Sequence, residues 1–427
     1  LKGVDLVSLG ELVVREPEYG SGERAVPIQN HGDVKYIRIT DFDDDGIVPG
    51  NEFATVEHVE DRYRLANDDV LFARSGATAG KTFIYSPDIG PGIFAGYCIR
   101  FQFDKERVLP KFIYFYTKTN RYHAWVRSIQ RPSGQPNINK EEFKSFSVPL
   151  PPLPVQQEMV GEMELARESR RRKLDEADAL LSGLDAFLLN RLGLTLPDEQ
   201  ARSSFAVKLS QIDGPINPER YRALKLERSI TGAVIDTVAD ILEVKVCPST
   251  IRPNEEWDWI RIDDLENRPL DVTSIRTERG SEIEGTFFAV RENDILLARL
   301  GPTILNQKIV LCPKTERQTV ASSEFLVLRC KKGWHPVTVL WTFRTSIYRD
   351  LIYSKGRGAT PSRYRVSRED FGKLPFPQID SKEQDSLAEV INERLDQVRR
   401  LREEAAREWE AAKAHFEARL LAEESVK

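Results

Sequence analysis

Cysteine, histidine and methionine are scarce: 4, 5 and 2 residues in a chain of 427. Cys98, Cys247, Cys312 and Cys330 are scattered with no metal-type spacing, which argues against a zinc module and for buried thiols in a reduced, cytoplasmic protein. His31, His58, His123, His335 and His415 form neither an HxxxH nor an HExxH pair, so the common zinc-hydrolase signatures are missing. No apolar run approaches the roughly 20 residues that span a bilayer, and the first residues carry no signal-peptide pattern. What remains is a chain with 30% charged and 9% aromatic residues, a globular composition with length for two to four domains.

The net charge is −5, which alone speaks mildly against nucleic acid. Its distribution speaks the other way. Arg299 to Lys373 holds 15 basic against 5 acidic residues, and Arg107 to Lys144 holds 8 against 2. Local basic surfaces on an acidic molecule suit phosphate binding and electrostatic steering.

These windows occupy matching places in an internal repeat. Tyr36-Ile-Arg-Ile-Thr-Asp41 recurs as Trp259-Ile-Arg-Ile-Asp-Asp264, and Asp69-Val-Leu-Phe-Ala-Arg74 as Asp294-Ile-Leu-Leu-Ala-Arg299. Val7 to Leu12 aligns with Thr237 to Leu242, and Ile138 to Phe143 with Val366 to Phe371. A period this long marks domain duplication, not a solenoid. Lys35–Ile39, Trp259–Ile262, Asp69–Ala73, Asp294–Ala298, Tyr97–Phe103 and Glu324–Cys330 read as strands. Lys111–Val126 and Pro336–Tyr353 each read as one helix.

Each copy closes on a proline-rich exit and a long charged helix. From Val155 to Leu192 the apolar seam runs through Met159, Met163, Ala166, Leu174, Ala177, Leu181, Leu184 and Leu188, interrupted by Arg170. A second seam, from about Ser381 to Glu424, uses Leu387, Ile391, Leu395, Val398, Ala405, Trp409, Ala412, Phe416 and Leu420. Steps of three and four are coiled-coil spacing. Such helices are about 60 Å long at 1.5 Å per residue. A lone helix with one apolar stripe is marginal in water, so the two seams are expected to pair antiparallel.

Chemistry-bearing motifs are few. Gly76-Ala-Thr-Ala-Gly-Lys-Thr82 has three residues between its glycines where a Walker A loop has four. It still suits a nucleic-acid backbone, because small residues let backbone N–H groups approach phosphate. Glu243-Val-Lys245 resembles the end of a nuclease motif, but Asp240 is too close to serve as its upstream acid and Asp236 is little better. The stronger candidates are loops that recur with different side chains. Arg74-Ser-Gly76 matches Arg299-Leu-Gly301, and Arg131-Pro-Ser-Gly-Gln-Pro-Asn137 corresponds to the loop from Lys355 to Arg365. Arginine can bridge guanine O6 and N7, and Asn or Gln adenine N6 and N7. The candidate DNA-binding residues are therefore Arg74, Ser75, Thr78, Lys81, Arg131, Ser133, Gln135 and Asn137 in the first copy. In the second they are Arg299, Thr303, Lys308, Arg357, Thr360 and Arg363.

Val148-Pro-Leu-Pro-Pro-Leu-Pro-Val-Gln-Gln-Glu158, with Gln135-Pro-Asn-Ile-Asn139 before it and the weaker Phe376-Pro-Gln-Ile-Asp-Ser-Lys-Glu-Gln384 in the second copy, resembles the specificity subunit of type I restriction–modification enzymes. The resemblance implies an α+β fold with two tandem target-recognition domains, at 1–153 and, with a linker, 194–380. The long helices would then occupy 154–193 and 381–427 as an antiparallel coiled coil. It implies a non-catalytic subunit that reads a bipartite DNA site and docks two methyltransferase subunits, with restriction subunits added. S-adenosylmethionine, ATP and Mg would belong to those partners and no cofactor to this chain. The alternatives are a nuclease or NTPase using Glu243/Lys245 or Lys81, and a coiled-coil scaffold that binds only proteins.

Overall fold

The computed structural model describes residues 5–30, 32–43, 46–48, 51–129, 136–194, 235–245 and 250–424. Arg131, Ser133, Gln135 and Cys247 lie outside the described residues. The chain divides into two units: unit 1 is Leu1–Leu174 with Arg402–Lys427, and unit 2 is Asp175–Leu401.

In unit 1 a short antiparallel pair, Asp5–Ser8 with Ser147–Leu150, joins the start of the unit to the proline-rich exit. One four-stranded sheet orders Glu18–Tyr19, Cys98–Phe101, Val70–Ala73 and Thr82–Ile84. A second orders Gly92–Phe94, Lys35–Ile37, Ala54–Thr55 and Val26–Pro27, with Gly92–Phe94 and Lys35–Ile37 parallel. Unit 2 repeats the plan. Ile235–Thr237 pairs with Pro375–Pro377, and one sheet orders Leu242–Lys245, Phe325–Cys330, Ile295–Ala298 and Ile309–Leu311. The other orders Arg276–Arg279, Glu256–Ile260, Thr319–Ser322 and Phe287–Val290, and its Glu256–Ile260 strand again runs parallel to Thr319–Ser322.

The repeated sequence blocks hold scaffold. Asp69 and Asp294 each accept a backbone N–H three residues back, from Ala66 at 2.9 Å and Arg291 at 3.0 Å. The residues just before them, Asp68 and Asn293, have φ of 73° and 67°, the left-handed conformation that short polar residues tolerate. Asp41 and Asp264 each bind an arginine through both oxygens, Arg38 and Arg276 respectively.

Two expectations shift. The first alignment block moves by one residue: Ser8 and Thr237 are the counterparts, each closing a capping box with the acid three residues on, Glu11 and Asp240. Asp240 is thereby a cap, its carboxyl held below the usual range by the Thr237 hydroxyl and N–H. The single helices expected over 111–126 and 336–353 are each two: Pro110–Tyr116 and Asn120–Ile129, then Pro336–Phe343 and Ser346–Ser354. Threonine hydroxyls compete with the helical ladder at the breaks. Thr117 and Thr119 donate to the carbonyls of Tyr114 and Tyr116 at 2.7 and 2.8 Å, and Thr345 to that of Thr342 at 2.7 Å. A buried cation fills each break and reaches the neighbouring strand: Lys118 Nζ to the Thr82 carbonyl at 3.1 Å, Arg344 Nη1 to that of Ile309 at 3.4 Å.

The long helices are Leu153–Arg191 and Ser381–Glu424. Within unit 1 they run antiparallel: Lys173 bonds Glu404 at 3.0 Å and Glu408 at 2.6 Å, while Arg419 bonds Glu162 at 2.9 Å. Arg170, which interrupts the seam in sequence, lies over the Trp409 ring. Within unit 2 the opposite ends pair, Arg191 with Glu383 at 2.7 Å and Arg394 over the Phe187 ring. Exposed ion pairs of this kind contribute roughly 0.2–1 kcal/mol each. The larger contribution is apolar, about 1.5–3 kcal/mol for each large side chain fully buried. Met159, Met163, Trp409, Phe416 and Leu420 join the unit 1 core beside Phe112, Tyr116 and Phe143, so the seam serves the globular core and the helix pair together. In unit 2, Leu184, Leu188, Leu387 and Ile391 do the same beside Phe343, Phe371 and Phe376.

A buried glutamine roots each helix. Gln156 Oε1 accepts from the Leu109 N–H at 2.8 Å, and its Nε2 donates to the carbonyls of Arg107 and Pro151 at 3.1 and 2.8 Å. Gln384 makes the same three bonds, from His335 N–H at 2.7 Å and to Gly333 and Ile379 at 3.2 and 2.8 Å. Replacing Gln156 or Gln384 by Ala strands buried backbone groups and is expected to lower unfolding stability by about 1–3 kcal/mol each. The exposed Gln157→Ala control should stay within about 0.5 kcal/mol. Chemical denaturation of the full chain measures both.

Candidate nucleic-acid interface

The residues flanking the repeated strands gather at one end of the first sheet in each unit. The Val70–Ala73 strand ends on Arg74, whose N–H donates to the Tyr97 carbonyl at 2.9 Å. The Lys81 carbonyl accepts from the Ala73 N–H at 2.8 Å. A third segment crosses this end: Gly76 N–H donates to Pro136 and Ile138 N–H to Arg74, at 3.0 and 2.8 Å. Unit 2 reproduces every one of these bonds. Arg299 N–H donates to Glu324, Ala298 N–H to Lys308, Gly301 N–H to Tyr364 and Val366 N–H to Arg299, all within 2.9–3.1 Å. The backbone frame of the two sites is therefore the same, and the side chains on it differ.

In unit 1, Arg74 Nε donates to Asn137 Oδ1 at 3.3 Å, and the guanidinium lies 4.7 Å from the Tyr19 ring centroid. Ser75 bridges to Asn137 through its backbone. Tyr97, beside them, is 62% exposed. In unit 2, Arg299 Nε bonds Glu324 at 3.4 Å, and Arg365 bonds the same carboxylate twice at 3.1 Å. Arg357 pairs with Asp370 at 3.2 Å and bridges to Arg365 through its backbone. Arg363 is exposed, and the Thr360 hydroxyl meets that of Ser362 at 3.1 Å.

Several candidates have structural partners. The Thr78 and Thr303 hydroxyls donate to the carbonyls of Ser75 and Leu300, at 3.2 and 2.7 Å. Lys308 Nζ donates to the Ile262 carbonyl at 3.1 Å. Lys81 is half-buried and pairs with no carboxylate among the described residues. Four of the six N–H groups of the Gly76–Lys81 loop are already engaged within unit 1. Those of Gly76, Ala79, Gly80 and Lys81 all donate to backbone carbonyls of unit 1. Gly80 is there for packing: its φ is +91°, and a Cβ would meet Val126 Cγ1 at 2.7 Å.

Tyr19, Tyr97, Glu324 and Arg365 belong to this sheet end although the sequence reading leaves them out. Arg365 closes a loop the sequence singles out. Tyr97 and Glu324 head strand patterns, where sequence alone does not tell an outward residue from a buried one. Among the described residues no group of three or more His, Cys, Asp or Glu could hold a metal ion, and no helix is long and apolar enough to cross a membrane. Burial pushes the Cys98 thiol up, and those of Cys312 and Cys330 up to about 12. None of the three is a ready thiolate nucleophile. What the arrangement offers is directional hydrogen bonding from arginine and amide groups on a fixed backbone frame.

Residues 3–164 match the family described as the type I restriction modification DNA specificity domain. The chain is 30% identical over 144 residues to the type I restriction enzyme StySPI specificity subunit of Salmonella potsdam; the match covers 32% of this chain and 30% of that protein's length. A chain from a solved type I R-M system, studied for complex assembly and conformational transition, aligns over 97% of this chain and 96% of its own at 15% identity and a TM-score of 0.50. A type I restriction-modification S subunit from M. genitalium aligns over 98% and 97% at 9% identity and a TM-score of 0.48.

Gly80→Ala forces a side chain into a left-handed backbone against Val126 and is expected to destabilise unit 1 by about 2–4 kcal/mol. Gly22→Ala, with nothing within 4 Å of its Cβ, is expected to leave the thermal unfolding midpoint unchanged.

Proposed function

We propose that the chain is the DNA-recognition subunit of a type I restriction–modification complex, with each unit reading one half of a bipartite, asymmetric site. The observation that carries this reading is one backbone frame, built twice, bearing two different sets of polar side chains. A shared frame supplies a common way of sitting on duplex DNA, and different side chains supply different base preferences. The target-recognition domains would span 1–153 and, with a linker, 194–380. The helices at 154–193 and 381–427 would fix the unspecified gap.

In this reading Arg74, Ser75, Thr78, Lys81, Arg131, Ser133, Gln135 and Asn137 contact DNA from unit 1. Arg299, Thr303, Lys308, Arg357, Thr360 and Arg363 contact it from unit 2. The chain performs no bond-making step and works in the cytoplasm. Two methyltransferase subunits dock on it, bind S-adenosylmethionine and methylate a flipped adenine. Restriction subunits, where they join, supply the ATP- and Mg-dependent steps. Tethering two modest readers raises the effective concentration of the second once the first is bound.

The test is a methylation map of DNA modified by the chain together with methyltransferase subunits. Two specified blocks of different sequence separated by a fixed unspecified gap are expected. Removing one matching heptad from each long helix should shorten that gap. Methylation without a split motif would sink the bipartite reading, and an unchanged gap would sink the spacer role.

A further inference from the structure

The two sites differ at the backbone position that receives the site arginine's N–H. The residue ahead of Cys98–Phe101 is Tyr97 and the residue ahead of Phe325–Cys330 is Glu324; the carbonyl of each accepts from the N–H of the site arginine. Tyr97 projects into solvent, 62% exposed. Glu324 instead gathers two arginines. Arg365 donates through Nε and Nη2 to its two oxygens, each at 3.1 Å, and Arg299 donates through Nε at 3.4 Å. Burial would push the Glu324 carboxyl up, but the hydrogen bond from Arg365 and the charges of Arg299 and Arg365 outweigh it and hold it below the usual carboxylate range. It is ionised at neutral pH, and the cluster carries one net positive charge instead of two.

A carboxylate is a poor addition to a surface built only to hold phosphates, because it repels them and cancels one counterion's worth of affinity. It is a good addition to a surface that must discriminate. An arginine has five N–H donors in a fixed fork. Glu324 takes up the Nε side of both arginines, which leaves each with an Nη1/Nη2 edge clear of the carboxylate. That edge is what guanine O6 and N7 accept from. Holding the long side chains in place beforehand also reduces the rotamer freedom lost on contact. Among the described residues of unit 1 the counterpart is different: Arg74 hydrogen-bonds the Asn137 amide oxygen and lies over the Tyr19 ring.

We propose that Glu324 is a positioning residue that orients Arg299 and Arg365 for end-on contact with guanine in the half-site read by unit 2. This rests on the DNA-reading function proposed above. The test is selection from random-sequence duplexes by the full chain, wild type against Glu324→Gln, Glu324→Asp and Arg365→Gln, with salt titrations and thermal unfolding of each. The wild type is expected to enrich guanine in one half-site. Arg365→Gln and Glu324→Gln should lower that preference about tenfold, the discrimination of one bidentate contact, and leave the other half-site as it was. Glu324→Asp should retain most of the preference. Removing the carboxylate should also steepen the slope of log affinity against log salt by about 0.9. The positioning role is overturned, with DNA reading intact, if Glu324→Gln selects the wild-type motif with the wild-type salt slope. A loss spread equally over both half-sites, or accompanied by a lower unfolding midpoint, would mark a merely structural residue and overturn it too. A wild-type chain that enriches no sequence would instead overturn the DNA-reading function itself.

Discussion

Each long helix takes its direction from one buried primary amide. Gln156 and Gln384 satisfy an N–H and two carbonyls at the helix root, where the chain turns out of its proline-rich exit. In a water-excluded setting three bonds to one planar group fix both position and angle. A helix of 39 or 44 residues is stiff, so a small tilt at its root becomes a large displacement at its far end. The apolar seams and surface ion pairs then hold a line that the glutamine has already drawn.

The fold was legible where local chemistry and tertiary demand agree. Strand positions followed from β-branched and aromatic runs, and both long helices from their seams. The breaks at Thr117–Thr119 and Arg344–Thr345 were not legible, because apolar periodicity continues across them. Only the structure shows Lys118 and Arg344 needing a gap through which to reach the neighbouring strand. The glutamines were visible as part of a motif, without a role. A role needed the partners at Leu109 and His335, which are 47 and 49 residues away in sequence.

The site was legible as a place and less so as a set of groups. Arg74 and Arg299 stand where the repeat put them. The glycine loop suggested backbone donors for phosphate, yet the N–H groups of Gly76, Ala79, Gly80 and Lys81 donate to carbonyls of unit 1, and Gly80 makes room for Val126. Tyr97 and Glu324 went unnoticed because a strand pattern reports burial by alternation and says nothing of the residue just outside it. Duplication helps here: once one frame is laid on the other, a tyrosine opposite a glutamate stands out as a divergence in function on a constant backbone.

Unit 1 is assembled from two separated stretches of the chain, Leu1–Leu174 and Arg402–Lys427, whereas unit 2 is one continuous stretch. Trp409, Phe416 and Leu420 complete the core that Phe112 and Tyr116 begin. During synthesis, therefore, Leu1–Leu174 lacks part of its core until Arg402–Lys427 has left the ribosome. The unit begun second has all of its residues sooner. While Asp175–Leu401 is being made, the nascent chain carries an unfinished unit 1 with apolar surface still uncovered. Completion of the second long helix is then what releases the molecule from that state.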